Sequence, residues 1–389
     1  SMPNIFRKSG VFIQKIGTAN KAIVGAFTST ALLIGTLPNG WQYTTTNIRS
    51  LQEFERTSAG LKTNNIASLV AKQFFENGGR NLWFISTGTR LSRTATPFLK
   101  GLSLLSKIPF FNMLMIPETT LLPDREAAKV FQAAVPLIEQ HRAIYFLDPP
   151  QQDVLRQTVK DLAAWFRAQV GIRHPNVVLY FPRVQVRSRV APPPTVTIPV
   201  SGTMAGLFAR LDGTRGVWKA PAGTEATLQG VVGLDQLLTS QDIDLLTSAN
   251  INALKQIPSS PYVAWGARTL SSNPEWKYVP VRRTALFLES SIQQGTNWAV
   301  FEPNDEPLWA QIRQSVQIFL EALFRQRAFQ GARARDAYFV KFGRETILAA
   351  DQAAGIIHIM VGFAPLKPAE FVVLKIQQKA RPVSFGKRP

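Results

Sequence analysis

Apolar residues from Ile66 to Phe75 recur at intervals of three and four. Ile66, Leu69, Val70, Phe74 and Phe75 share one helical face, and Asn77-Gly78-Gly79 supplies a stop. A buried strand is predicted directly after it at 81–87 (NLWFIST). Further short apolar runs lie at 112–117 (NMLMIP), 143–148 (AIYFLD) and 177–182 (VVLYFP), separated by helical patterns over 124–142 and 152–170. Alternating strands and helices predict a mainly parallel sheet with helices packed on it. Upstream, 22–37 (AIVGAFTSTALLIGTL) is apolar but interrupted by Thr, Ser and Gly. It falls short of the roughly 20 residues that span a bilayer, so it predicts two buried strands. The opening SMPNIFRKSG leads into no continuous apolar run of the signal-peptide kind, and a soluble product with no membrane span of its own is expected.

Three consecutive prolines in 191–199 (APPPTVTIP) force an extended segment, and a connection is placed there. Beyond it the chain reads as loop-rich to about Trp276, with one helix near 240–256 that Pro258 ends. The last third is cleaner. A helix over 281–294 stops at Gly295, and 297–302 (NWAVFE) reads as a strand. Pro307 suits a first helical turn capped by Asn304 or Asp305. Trp309, Ile312, Val316, Phe319, Leu320 and Leu323 then form one stripe, closed by Gly331. Strands are predicted at 337–342, 355–363 and 370–376. That order makes a second, α+β unit. The chain is expected to comprise an arm (1–21), an α/β region (22–265), an α+β region (266–377) and a basic tail (378–389). No internal repeat is visible.

The 389 residues carry 44 Lys+Arg against 25 Asp+Glu, a net charge of +19. Such a charge fits nucleic acid, an anionic membrane or an acidic protein surface. Its distribution is uneven. No acid precedes Glu53, while Arg7, Lys8, Lys15, Lys21 and Arg49 do, and no acid follows Glu370, while Lys375, Lys379, Arg381, Lys387 and Arg388 do. A third cluster joins Arg325, Arg327, Arg333, Arg335, Lys341 and Arg344, with only Asp336 inside it.

Chemistry is conspicuous by what is missing. With no cysteine, disulfides, thiolate metal sites and cysteine nucleophiles are excluded. His141, His174 and His358 are the only histidines, and none stands at ligand spacing from another. His358 reads as a core or interface residue in an apolar strand, His141 as a helix end and His174 as part of a turn before Pro175. Gly35 and Gly40 match half of a phosphate loop, but Trp41 and Gln42 stand where Lys and Ser/Thr are required, so a turn is the simpler reading. Glu302, Asp305 and Glu306 have the composition of a Mg²⁺ or acid/base site, yet they open a predicted helix, where capping and the dipole already explain them. The same holds for Asp242 and Asp244. Trp218-Lys219 reads as packing with a snorkelling lysine before it reads as a stacking platform. No catalytic, cofactor-binding or metal-binding residue is assigned, and no cofactor is expected.

The two ends are alike. Gly10, Val11, Phe12, Ile13, Gln14, Lys15 and Ile16 form one apolar strand flanked by basic residues, and Phe371, Val372, Val373, Leu374, Lys375 and Ile376 form another. A strand with unmet N–H and C=O groups pairs within its own domain or adds to the sheet of a second copy. Head-to-tail addition builds rings or filaments.

Several long stretches carry a family resemblance: RLDGTRGVWKAPAG (210–223), LQGVVGLDQLL (228–238), WGARTLSSNPEWKYVPVRR (265–283), LESSIQQGTNWAVFEPNDEPLWAQIR (288–313) and PAEFVVLKI (368–376). GVFIQKI, TSTALLIG, NIRSLQEFER and FFENGGRN extend it into the first third. The chain resembles the contractile tail sheath proteins of phages, pyocins and related extracellular injection systems. The family's opening segment usually carries acids soon after its first strand, which this chain lacks.

The resemblance implies a structural subunit and no enzyme: an α/β outer domain with a mainly parallel sheet, an α+β C-terminal domain, and terminal strands exchanged between subunits. Copies would stack around an inner tube and contract on a baseplate signal, with the energy stored in subunit packing. The implied partners are other copies, the inner tube protein, the baseplate and tail terminator or cap proteins, with no nucleic acid. Assembly in the bacterial cytoplasm as part of a phage tail-like particle is implied, the particle being released or anchored through other components. Arg325, Arg327, Arg333 and Arg335 would meet an acidic tube surface, and 85–190 would face outward. Two other classes compete: a basic α/β nucleic-acid-binding protein, motivated by charge alone, and an α/β enzyme using Glu302, Asp305 and Glu306.

Overall fold

The structure is a computed structural model that describes residues 5–8, 11–14, 21–38, 43–57, 63–151, 159–258, 261–366 and 372–383. The chain forms two units. An inserted unit comprises Phe27–Leu286, and a terminal unit combines Ser1–Ala26 with Phe287–Pro389.

The inserted unit is built on a six-stranded sheet. Its order is Thr45–Ile48, Leu82–Ser86, Ala31–Gly35, Met113–Met115, Ile144–Phe146, Val177–Val178. Only Thr45–Ile48 runs antiparallel. The chain enters at the centre, steps one way to Leu82–Ser86, then returns and steps the other way. Successive side chains of a strand point to opposite faces, and two cores result. Ala31, Leu33, Met113 and Met115 pack on one side with Ala67, Val70 and Phe74 of helix Ile66–Asn77 and Met204 and Phe208 of helix Ser201–Thr214. Leu32, Ile34 and Leu114 pack on the other with Phe98 of helix Thr96–Leu102 and Val130 and Phe131 of helix Asp124–Gln140. Both faces are covered, which is why these strands read as unbroken apolar runs.

Five expectations need correction. Within 22–37 only Ala31–Gly35 is a strand. Residues 22–30 form none, and Val24 and Phe27 are almost fully exposed. The 177–182 run is two short strands, because the chain passes from the large sheet (Val177–Val178) to a small one through Tyr180–Phe181, which pairs with Asn252–Gln256. The stretch after the prolines is not loop-rich: helix Ser201–Thr214 is buried on nearly every side and so lacks a polar stripe. The helix expected over 240–256 ends at Ser248. Asn250, in the left-handed region at φ 58°, turns the chain into strand Asn252–Gln256. Finally, 297–302 is a 3-10 helix, Asn297–Phe301, closed by Ala299 N–H to Thr296 O and Glu302 N–H to Ala299 O, both 3.0 Å. The prolines lie in the loop of an antiparallel hairpin whose strands are Val184–Arg187 and Thr195–Ile198.

In the terminal unit, helix Glu306–Arg325 buries Trp309, Ile312, Val316, Phe319, Leu320 and Leu323 along one face, as its stripe predicts. A three-stranded antiparallel sheet follows, with Ile356–Phe363 between Tyr338–Lys341 and Val372–Lys379. Ile5–Lys8 and Val11–Gln14 form a separate antiparallel hairpin.

Candidate functional site

In open α/β sheets, ligands bind beyond the carboxyl ends of the strands where the strand order reverses. Here that point lies between Ala31–Gly35 and Met113–Met115, and the protein fills it with its own side chains. The chain leaving Met115 turns into the 3-10 helix Pro117–Leu121, and Glu118, 1% exposed, accepts the Thr36 N–H at 2.7 Å. A Cβ on Gly35 would lie 2.7 Å from Glu118 Oε2. A carboxyl thus sits where a phosphate loop would hold its anion, which settles Gly35 as part of no such loop; Gly40, Trp41 and Gln42 lie outside the described residues.

Burial pushes Glu118 up to about 7, and it does the same to Asp148 at the end of the neighbouring strand. Among the described residues Glu118 Oε1 and Thr120 Oγ1 are buried without a hydrogen-bond partner, while hydrogen bonds from Ser201 and the Val200 backbone partly offset the burial of Asp148. A cavity of about 490 Å³ opens beside Asp148 and Thr120, with the Arg183–Asp235 ion pair, 2.8 Å, in its wall. The Glu118 and Asp148 carboxyls are sealed from solvent, so their titration bears on stability.

The other acids serve structure. Asp242 completes a capping box with Thr239. Glu306 pairs with Arg313 at 3.1 Å. Asp305 takes the N-cap position of helix Glu306–Arg325 without a side-chain capping bond, while buried Asn304 accepts from Trp309 Nε1 at 2.8 Å. Among the described residues no group of three His, Asp or Glu is arranged to hold a metal ion. The histidines are dispersed: His141 packs on Phe111, His174 lies 3.5 Å from Glu139, and His358 lies 3.5 Å from Asp351. Lys219 lies 3.8 Å from Glu225, a salt-bridge contact.

The terminal unit offers surfaces of a different kind. In Val372–Lys379 burial alternates strictly: Val372, Leu374, Ile376 and Gln378 point inward, while Val373, Lys375, Gln377 and Lys379 are exposed. Ile356–Phe363 pairs with one edge of this strand, and among the described residues no strand pairs with the other. Tyr338–Lys341 is likewise an edge. Among the described residues the hairpin of Ile5–Lys8 and Val11–Gln14 joins no larger sheet, and a lone two-stranded hairpin is marginal in water. Gly10, Lys15, Ile16 and Phe371 lie outside the described residues.

Arg325, Arg327, Arg333 and Arg335 are all exposed. Arg325 pairs with Glu321 at 3.2 Å and Arg333 with Asp336 at 3.0 Å. Glu321 also accepts from Tyr338 Oη at 2.6 Å; these hydrogen bonds hold its carboxyl below the usual range, and the Tyr338 hydroxyl is pushed up to about 12 by burial and by that bond. This Glu321–Tyr338 link was not legible in the sequence, since the residues belong to different elements.

The inserted unit is doubly wound with its crevice filled by its own side chains, and the terminal unit has strand edges that no described strand pairs. Residues 271–379 match the family described as the phage tail sheath C-terminal domain. A prophage major tail sheath protein of Pseudomonas aeruginosa is 29% identical over 262 residues, 65% of this chain and 63% of the relative, just under two thirds of its length. The contracted helical sheath of the anti-feeding prophage matches with a TM-score of 0.75 at 25% identity, over 95% of this chain and 99% of that one. The six-fold symmetrised baseplate of the same particle gives 0.73 at 26% identity, over 95% and 99%. Residues 271–379 carry the phage tail sheath C-terminal domain, and over most of its length the chain is similar to tail sheath proteins of contractile injection systems, which are structural proteins and not enzymes.

Proposed function

We propose that this chain polymerises around an inner tube and contracts to drive that tube through a target envelope. The observation that carries the reading is the outer edge of Val372–Lys379, unpaired among the described residues, together with a terminal hairpin that joins no larger sheet among them. An unpaired edge invites a further strand, and a second copy has one to give. In this reading the residues exchanged between copies are those of 10–16 and 371–376. Residues 1–21 are the arm, 266–377 the inner region and 378–389 a basic tail, with the α/β region outside. Each copy both donates and accepts, so the assembly is a helix or a stack of rings. Arg325, Arg327, Arg333 and Arg335, exposed and among the described residues only half matched by carboxylates, meet an acidic inner tube. Baseplate and terminator or cap proteins bound the assembly, which forms in the bacterial cytoplasm. No cofactor takes part.

Negative-stain microscopy of the chain co-expressed with its tube tests this directly, with striated hollow tubes expected. Deleting residues 1–20 should leave a folded monomer that cannot link; unchanged tubes would refute strand exchange. Charge reversal to Glu at Arg325, Arg327, Arg333 and Arg335 should impair extended assembly on the tube and spare contracted sheath. Unaffected extended assembly would remove the tube contact from these arginines.

A further inference from the structure

The chain crosses between its two units twice, at 26/27 and at 286/287. Just inside the inserted unit, both crossings meet one carboxylate. Arg283 donates from Nη1 to Asp212 Oδ1 at 2.7 Å and from Nη2 to Oδ2 at 2.6 Å. Asp212 Oδ2 also accepts from Thr28 Oγ1 at 2.7 Å and Ser29 Oγ at 3.0 Å. Arg283 Nη2 reaches back to the Thr28 carbonyl at 3.1 Å, and its guanidinium lies 4.9 Å from the centre of the Phe208 ring. Both charged side chains are 6% exposed, the most buried ion pair among the described residues.

Stability alone is a poor reason for this arrangement. Desolvating two charges offsets much of their attraction, and apolar residues of similar volume often stabilise as well or better. A planar fork on a carboxylate supplies direction instead. Thr28 and Ser29 have just entered the unit, Arg283 is about to leave it, and Asp212 belongs to the last turn of helix Ser201–Thr214.

We propose that Asp212 and Arg283 form a root clamp, which locks the incoming segment at Thr28–Ser29 and the outgoing helix Val279–Gly295 to the last turn of helix Ser201–Thr214 within the inserted unit. The locking stands on its own geometry. Its mechanical use, passing load between the units during contraction, rests on the function proposed above.

Hydrogen exchange of the full chain tests the locking. In Asp212→Asn, exchange in peptides covering 27–31 and 279–286 should quicken about tenfold, while the strands at 82–86 and 113–115 keep their protection. Because Asp212→Asn leaves Arg283 buried without its counter-ion and can unfold the unit, the double variant Asp212→Leu/Arg283→Met is measured beside it. It refills the space, and it should fold and still lose protection at both crossings. Protection within about twofold of the parent at both crossings in the folded double variant overturns the clamp. Contraction of sheath built from the double variant is a separate readout. If the parent builds no sheath, the proposed function fails and the exchange result stands.

Discussion

The Thr36 N–H donates to Glu118 Oε2 at 2.7 Å, and the other oxygen of that carboxyl has no hydrogen-bond partner among the described residues. A buried acid in this position is tolerated as a neutral group. Burial lifts Glu118 from 4.5 to about 7 and Asp148 from 3.8 to about 7, so the folded chain holds both protons more tightly than the unfolded chain does. Their contribution to stability is therefore fullest at acid pH, falls as pH rises from about 4 to about 7, and is flat above. Between pH 5 and pH 8, Glu118→Gln should gain about 2 kcal/mol relative to the parent. Urea unfolding midpoints at the two pH values measure this, and parallel shifts at both would show that Glu118 does not titrate in that range.

Helices Ile66–Asn77 and Ser201–Thr214 approach each other backbone to backbone at two glycines. A Cβ on Gly202 would collide with the Val70 carbonyl, and one on Gly206 with that of Phe74. Gly206→Ala should cost about 1–3 kcal/mol by overpacking. Gly213, on the same helix with nothing within 4 Å of its would-be Cβ, supplies the control. There Ala should stabilise by up to about 1 kcal/mol through helix propensity. Thermal unfolding separates the two, and equal effects would contradict the close packing.

Gln378 ties the last strand to the end of helix Val279–Gly295, donating to Gln293 O and Thr296 Oγ1, both at 2.8 Å. Gln378→Ala should destabilise the strand by about 1–3 kcal/mol, since a buried carbonyl and hydroxyl lose their donor. Faster hydrogen exchange across 372–379, with the large sheet unchanged, is the expected signature.

Tyr338, on the opposite edge strand, is held to helix Glu306–Arg325 by its 2.6 Å bond to Glu321. Tyr338→Phe should cost about 1 kcal/mol and leave Glu321 to Arg325 alone. Unaltered stability in urea would mean that the bond contributes nothing net.

How far the sequence discloses this fold depends on how each segment is buried. Helix Glu306–Arg325 presents one face to a core, and its stripe from Trp309 to Leu323 reads directly. Strands covered on both sides, such as Ala31–Gly35 and Met113–Met115, read as apolar runs. Helix Ser201–Thr214 is buried nearly all round and carries two glycines for close packing, so it shows neither period nor propensity. Residues 297–301 look like a strand by composition, yet Ala299 is buried while Val300 and Phe301 are exposed, and local bonds curl them into a 3-10 turn. The basic cluster and both terminal strands are legible because charge runs and alternation are local signals. Glu118 in the crevice and Asp212 under two chain crossings depend on residues far apart in sequence, and no spacing announces them.

The division of the chain also sets a timetable. Ribosomes add roughly 5–20 residues per second, and domains tend to fold as they emerge. The inserted unit is contiguous and can mature on the nascent chain. The terminal unit draws on segments from both sides of it, and the edge of Val372–Lys379 does not exist until that last strand is made. The edge that this strand offers is therefore among the last features of the described chain to form.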